Sequence, residues 1–293
     1  FKSHHLSNMA EHVLQKYEVE PPVGTALQIE SLGYSFDSNG FFETLKRRVA
    51  AEVPSGKRMD AGQMYAAKLV VVIVIFFSTW LLLLFPGVAP SLWTDGRFTV
   101  SLLLLGIVNA CMRCVITGFG HEAVHGRCLN VATSDLFDWM LLYPSSYWHR
   151  EHCLRHHPHC KRGEEDLDPD ETLPTLRMAH FTEWEAYHIL QVITQFVVGV
   201  LAPLVDFLDH HVVRGRMWRR GCAYYVVFHA APFLFRPMRD AALVWLVAAG
   251  LGSWITLSAF HVSHINNDCA KYHFKAGDDW GEHQIRTTAN YVA

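Results

Sequence analysis

The sequence predicts an all-α integral membrane protein with two transmembrane hairpins (four spans), an interfacial helix and a cytosolic helical cap. Three observations lead to this fold class. The apolar residues, 51% of the 293, gather in long runs with almost no charge, lysine and arginine flank these runs, and histidines follow them closely. A helix needs about 20 apolar residues to cross a bilayer core. The net charge of -3 gives no general bias toward nucleic acid.

The first two runs predict one hairpin. Leu69–Phe85 has no charged residue and is followed by Pro86 and Gly87, which end a helix. Phe98–Gly118 carries Arg113 as its one charge, and the loop between the runs is short and nearly neutral. Two spanning helices joined by a short loop are therefore expected.

Basic residues orient this hairpin, because an excess of lysine and arginine marks the cytosolic side of a membrane. Six of them precede the first run and six follow the second, so both ends of the hairpin are predicted to face the cytosol. They are Lys46, Arg47, Arg48, Lys57, Arg58, Lys68, Arg127, Arg150, Arg155, Lys161, Arg162 and Arg177.

The second half of the chain contains three more apolar segments. Ala186–Val205 is uncharged, but four arginines between 214 and 220 follow it, so both its ends look cytosolic. We interpret it as a helix that lies in the interface or packs on the hairpin. Gly221–Phe235 and Ala241–Phe260 form a second predicted hairpin, with the basic turn Arg236–Asp240 on the outer side.

Histidines occur in two spaced groups. The first is His121 and His125 in "HEAVH", and the second is His152, His156 and His157 in "WHREHCLRHHPHC". Residues four apart share a face of an α-helix and lie about 6 Å apart along its axis. The added neighbour widens the second group to about 140° of the helix, enough to serve two closely spaced ions. The pattern predicts a metal centre at the cytosolic ends of the helices, where ionisable groups are normally functional.

Imidazole ligands suit zinc, iron, copper or nickel. A two-ion site needs further ligands, and His264 after the last span is the expected sixth, with His261 as its competitor. His149 and His159 lie outside the best spacing. No catalytic residue beyond the metal ligands is predicted. Four carboxylates are candidates to orient the rings: Asp135, Asp138, Asp166 and Asp168.

Other metal-binding and redox residue types have simpler interpretations. Cys111 and Cys114 form C-x-x-C inside an apolar run, so we interpret them as buried thiols rather than a redox pair. The remaining histidines are interpreted as ordinary polar residues with hydrogen-bond partners. They include His12, His180, His188, His229 and His273.

The order HxxxH then HxxxHH, with long apolar segments around both groups, resembles the membrane fatty acid desaturases. The likeness extends from about Phe41 to the end. It includes Trp148 before the second group, the "DPD" at Asp168–Asp170 after it, and "DWGEHQIRTTANY" at Asp279–Tyr291.

This resemblance implies a non-haem di-iron centre that uses oxygen to remove two hydrogens from an acyl chain. The iron ligands would be His121, His125, His152, His156, His157 and His264. The family's third group, H/Q-x-x-H-H, is expected to follow, but the sequence stops at Ala293. The 293 residues are therefore expected to be truncated and inactive alone.

The N-terminal stretch His4–Val19 is similar to the C-terminal half of a cytochrome b5 domain, and His5 matches its second haem ligand. The "HPGG" motif of the first ligand is absent. A cytochrome b5 fusion is typical of front-end desaturases, and "LKRRV" at Leu45–Val49 fits their linker. The resemblance implies cytochrome b5 and its reductase as electron donors, and an endoplasmic reticulum membrane. The expected domains are residues 1–20, a cytochrome b5 remnant, 21–62, a linker, and 63–293, the membrane domain.

Several alternatives stay open. Sphingolipid long-chain-base desaturases share the fusion, and an acyl hydroxylase could use the same scaffold. The acyl carrier, acyl-CoA or acyl-lipid, and the carbon attacked are not determined. A non-catalytic metal-binding membrane protein, such as a zinc carrier, is the alternative from another class. It would be expected to place carboxylates along its spans, and the predicted spans contain none.

Overall fold

The structure is a computed structural model, and it describes residues 33–52, 63–93, 98–125, 149–157, 184–208, 226–264 and 275–288. Helices dominate these residues, which contain no strand and one isolated bridge, between Ser35 and Asp279. The chain divides into two units. The terminal unit comprises Phe1–Lys57, Leu154–Leu167 and Ser263–Ala293, and the membrane unit comprises Arg58–Cys153 and Asp168–Val262.

Eight α-helices are described, along with shorter turns of other helical types. They are α1 (Phe41–Glu52), α2 (Gln63–Leu84), α3 (Phe98–Val124), α4 (Gln191–Leu208), α5 (Ala231–Phe235), α6 (Met238–Val244), α7 (Leu251–His264) and α8 (Trp280–Thr287). The π-helical segments are His149–His156, Val226–Ala230 and Trp245–Gly250. The 3-10 turns are Pro86–Val88, Pro90–Leu92 and Ala186–Leu190.

Three of the described helices are long and apolar enough to cross a membrane: Gln63–Leu84, Phe98–Val124 and Met238–Ala259. By length and composition, these helices match the two spans of the first predicted hairpin and the last predicted span. Two further apolar helices, Ala186–Leu201 and Val226–Phe235, are shorter. The fourth span therefore stays a prediction, since residues 221–225 at its start lie outside the described part. The interfacial position of Ala186–Val205 also stays a prediction.

A polar side chain within the apolar interface holds α2 against α3. Asn109 on α3 is fully buried, and its Nδ2 donates to Phe76 O at 2.9 Å and to Thr79 Oγ1 at 3.0 Å on α2. Such interhelical hydrogen bonds stabilise helix pairs in membranes by about 0.6 kcal/mol each, sometimes more. They also fix the register of α2 against α3.

Arg113, the one charge in the second predicted span, is 3% exposed in the bundle. Its guanidinium lies 5.2 Å from the Phe228 ring centroid and 6.0 Å from that of Phe76. Aromatic faces attract a desolvated cation, which helps this arginine to remain among apolar helices.

The turn between α5 and α6 lies beside the loop of the first hairpin. Arg236 Nε donates to Leu83 O at 2.7 Å, and its guanidinium stacks 4.4 Å from the Trp93 ring centroid. Leu83 O is one of the carbonyls that the end of α2 leaves unpaired within the helix. The two loops thus share one end of the bundle, opposite the C-terminal end of α3.

Two glycines show that the helical run Met238–Ala259, which includes α6 and most of α7, is parallel to α3. A Cβ on Gly106 would come within 2.5 Å of Val247 Cγ1, and one on Gly252 within 3.4 Å of Ala110 Cα. Small residues allow helices to approach this closely in membranes. The paired positions advance together along both helices, so α7 ends at the same end of the bundle as α3.

Candidate metal centre

The first histidine group lies on the last turn of α3. The span was predicted to end near Gly118, but the helix continues to Val124, and His125 N still donates to His121 O at 3.1 Å. Backbone hydrogen bonds persist after the hydropathy falls, because helix formation does not require apolar side chains. The i, i+4 spacing therefore places both rings on one face, and their Nε2 atoms are 3.1 Å apart.

His152 joins this pair from a separate part of the chain. It lies on the π-helical segment His149–His156, and its Nε2 is 2.7 Å from His121 Nε2. Its ring centroid is 4.8 Å from that of His121 and 5.3 Å from that of His125. All three imidazoles are half-buried. The membrane unit thus brings together three of the predicted ligands, which we call the histidine trio.

The trio fits a metal ion by its distances and by its chemistry. Metal–nitrogen bonds of about 2.1 Å place neighbouring ligand atoms about 3.0 Å apart at a right angle and about 3.4 Å apart in a tetrahedron. The separations of 2.7 and 3.1 Å are close to the first value. A neutral ring has either one proton or one lone pair at Nε2. A single cation can accept the Nε2 lone pairs of all three rings at once. A hydrogen bond between two rings instead needs a proton on one of the two nitrogens.

Cys153 contacts the outer nitrogen of one trio member. Its Sγ is 3.7 Å from His125 Nδ1 and 4.0 Å from Val124 O. Burial raises the pKa of this thiol to about 11, so it stays neutral. Ligating histidines usually place their second nitrogen against a partner that fixes the ring. The sequence pattern had placed Cys153 off the ligand rows, and it did not predict this contact.

The terminal unit holds the other two histidines of the second group. His156 is 2% exposed, His157 is half-buried, and their ring centroids are 5.3 Å apart with a 56° tilt. Gln284 Nε2 on α8 donates to His157 O at 2.8 Å. The sequence predicted α-helical faces for this group. A π-helix instead forms backbone hydrogen bonds between residues five apart, so the faces of this group differ from that prediction.

The remaining candidates are distributed as follows. His264 is the last residue of α7, but the placement of its side chain and that of His261 lies outside what the structure describes. His149 is half-buried on the π-helical segment. His188 Nδ1 accepts from Glu185 N at 2.8 Å and His229 Nδ1 accepts from Trp245 Nε1 at 3.0 Å, as expected for histidines with structural partners.

Some predicted residues lie outside the described part of the chain altogether. They are His5, His12, His159, His180, His273, Asp135, Asp138, Asp166 and Asp168, together with Trp148.

An apolar helical bundle with three imidazoles converging at the end of a long helix defines a membrane protein with a candidate metal centre. The family model described as "Fatty acid desaturase" matches residues 96–292, more than half of the chain. The chain therefore belongs to the fatty acid desaturase family. Neither the curated proteins nor the solved structures gave a match. Membership indicates a desaturase-like oxidoreductase of fatty acid metabolism that acts on a lipid substrate at a membrane.

Proposed function

We propose that this protein is an oxygen-dependent, di-iron desaturase of the front-end type, which introduces a double bond into a polyunsaturated fatty acyl chain. The observation that supports it most is the convergence of the Nε2 atoms of His121, His125 and His152 within a chain of the desaturase family. These distances suit metal coordination and need no rearrangement of the helices.

The proposed ligand set extends beyond the trio. His156 ends the segment that carries His152, His157 directly follows it, and His264 ends a helix that runs parallel to α3. Six imidazoles exceed what one ion with open positions needs, which favours two ions. Bound iron would supply the reaction with oxygen that removes the two hydrogens, and the protein supplies orientation and a dry site.

The described residues have three tasks in this reaction. The helix ends direct the imidazoles toward one point, and the Cys153 thiol contacts Nδ1 of the His125 ring at 3.7 Å. The apolar helices provide a surface on which each buried methylene contributes about 0.8 kcal/mol to binding. That contribution has no direction, so the head group and the shape of the acyl-binding surface must select the carbon attacked.

The electron donor is proposed to be cytochrome b5 with its reductase, and the haem would belong to a complete cytochrome b5 domain in which His5 is a ligand. That haem would supply the electrons one at a time. The proposed location is the endoplasmic reticulum, with the histidines facing the cytosol, because basic residues surround both ends of the first predicted hairpin.

The proposal is tested by expressing the full-length polypeptide in yeast supplied with polyunsaturated fatty acids and analysing the acyl chains by mass spectrometry. A new double bond between the carboxyl group and an existing double bond is the expected product. A hydroxylated chain would identify a hydroxylase, and an unsaturated long-chain base would identify a sphingolipid enzyme. Metal analysis adds a second criterion, since zinc without iron would support a non-catalytic metal-binding protein.

A further inference from the structure

A side chain far along the sequence holds the backbone of the second histidine group. Gln284 on α8 donates from Nε2 to His157 O at 2.8 Å, across 127 residues, and both belong to the terminal unit. His157 directly follows the π-helical segment His149–His156. The hydrogen bond therefore ties the backbone of this histidine to α8.

The helix that carries Gln284 is itself fixed by one carboxylate. Asp279 caps α8, accepting from Gly281 N at 2.8 Å and Glu282 N at 3.3 Å. Both of its oxygens also lie 3.2 Å from Phe42 N in the first turn of α1. One side chain therefore caps two helices, and each of the two N-termini favours a negative charge.

Close packing leaves α8 little room to turn. A Cβ on Gly281 would come within 3.0 Å of Phe41 Cδ1 and of Phe42 Cβ. The Trp280 and Phe42 rings meet edge to face with centroids 4.7 Å apart, and His283 is fully buried. Because the N-terminus of α8 is capped and this face is buried, the helix holds Gln284 toward the backbone of His157.

We propose that Gln284 is a positioning residue for His157 as a metal ligand, and that Asp279 holds the helix from which it acts. This inference rests on the proposed function, in which His157 binds iron. Groups that orient a ligand commonly change metal affinity by about 10- to 100-fold when removed. Gln284 acts on the backbone of the ligand rather than on its ring, so we expect an effect near about tenfold.

The test uses the full-length protein reconstituted with cobalt(II), whose visible absorption reports on its ligands. Gln284→Leu removes the donor with little change in size, and Ile285→Ala on the same helix is the matched control, since Ile285 is 62% exposed. The expected result for Gln284→Leu is an altered cobalt spectrum and about tenfold weaker binding of one ion. The control should reproduce the wild-type spectrum and affinity.

Two Asp279 variants extend the test. Asp279→Ala removes both caps and should share the spectral change of Gln284→Leu, whereas Asp279→Asn keeps an acceptor and should restore most of the wild-type spectrum. If circular dichroism shows that Asp279→Ala loses helix, its cobalt spectrum reports on folding. The cobalt spectrum of Gln284→Leu, which keeps both Asp279 caps, then decides the positioning role.

His157→Ala tests the ligand role of His157 separately from the positioning role of Gln284. An unchanged cobalt spectrum in this variant would remove His157 from the ligand set, and the positioning role with it, whatever the product assay shows. If His157→Ala alters the spectrum and Gln284→Leu does not, the positioning role alone is wrong. A wild-type protein that binds metal but forms no unsaturated product would contradict the proposed function and leave the positioning role standing.

Discussion

The two histidine groups are held in different ways. His121 lies on the final turn of a 27-residue helix that packs inside the membrane unit, and His125 directly follows that helix, with its N donating to His121 O. His157, in the terminal unit, is held by a hydrogen bond from Gln284 on the 8-residue helix α8. The first arrangement depends on local helical periodicity and the second on contacts between distant parts of the sequence. The first site should therefore be rigid when the surroundings change, and the second should be sensitive to single substitutions outside it.

The largest effect is expected from His121→Ala. His121 Nε2 is the atom nearest to both other trio members, at 2.7 and 3.1 Å. Its removal should lower metal affinity by at least about 100-fold, more than the loss of an orienting group costs. Product formation in the yeast assay should fall below detection, with membrane insertion unchanged. His188→Gln, which keeps an acceptor for Glu185 N, is the control and should retain iron. Wild-type iron content in His121→Ala would exclude the trio as the metal centre.

The next effect concerns the opposite end of the bundle. Arg236→Ala removes a hydrogen bond to Leu83 O and the stacking on Trp93. Together these should lower the free energy of unfolding by about 2 kcal/mol. Thermal unfolding in detergent measures the change, and Arg236→Lys, which lacks the planar group, should recover only part of it. Metal content should not change, since this end is remote from the trio. A loss of metal would show that the trio depends on contacts at the opposite end of the bundle.

A smaller effect is expected from Asn109→Leu. The substitution keeps the branched shape of the side chain but removes two hydrogen bonds to α2, and should cost about 1 kcal/mol. The same thermal assay detects it, and the cobalt spectrum of the trio is expected to remain that of the wild type. If the spectrum shifts, the register of α2 against α3 governs the geometry of His121 and His125. The first histidine group would then also depend on contacts between distant parts of the sequence.

The smallest effect is expected from Arg286→Gln on α8. Arg286 lies 4.0 Å from Glu282, and both side chains are more than half exposed, so this ion pair should contribute nothing measurable to stability. Cobalt spectrum and unfolding temperature should match the wild type. A change comparable to that of Gln284→Leu would mean that any disturbance of α8 perturbs the second group, and would remove the specific role of Gln284.

These contrasts also explain how far the sequence could predict the molecule. The first hairpin and the facing of His121 and His125 follow from apolar run length and from a spacing of four residues. The second span was predicted to end near Gly118, whereas α3 continues to Val124, because hydropathy marks the membrane and not the end of the backbone hydrogen bonds. The helical spacing of His121 and His125 had already indicated that the helix continues. The approach of His152 depends on a π-helical segment, for which the sequence carries no clear signal.

The terminal unit was the least predictable part. Asp279 and Gln284 were noticed only as part of a stretch that resembles the family. Their partners lie 237 and 127 residues away along the chain. No local pattern identifies such contacts, because capping and side-chain-to-backbone bonds are compatible with many sequences.

The carboxylate shared by α1 and α8 has a consequence for protein engineering. A chimaera of two desaturases that is divided just before the first span would treat the preceding segment as interchangeable. Here Phe42 N and the N-terminus of α8 depend on the same Asp279. A graft that replaces residues 33–52 should therefore be made together with residues 275–288, or the hybrid will combine two ends that did not evolve to fit one another.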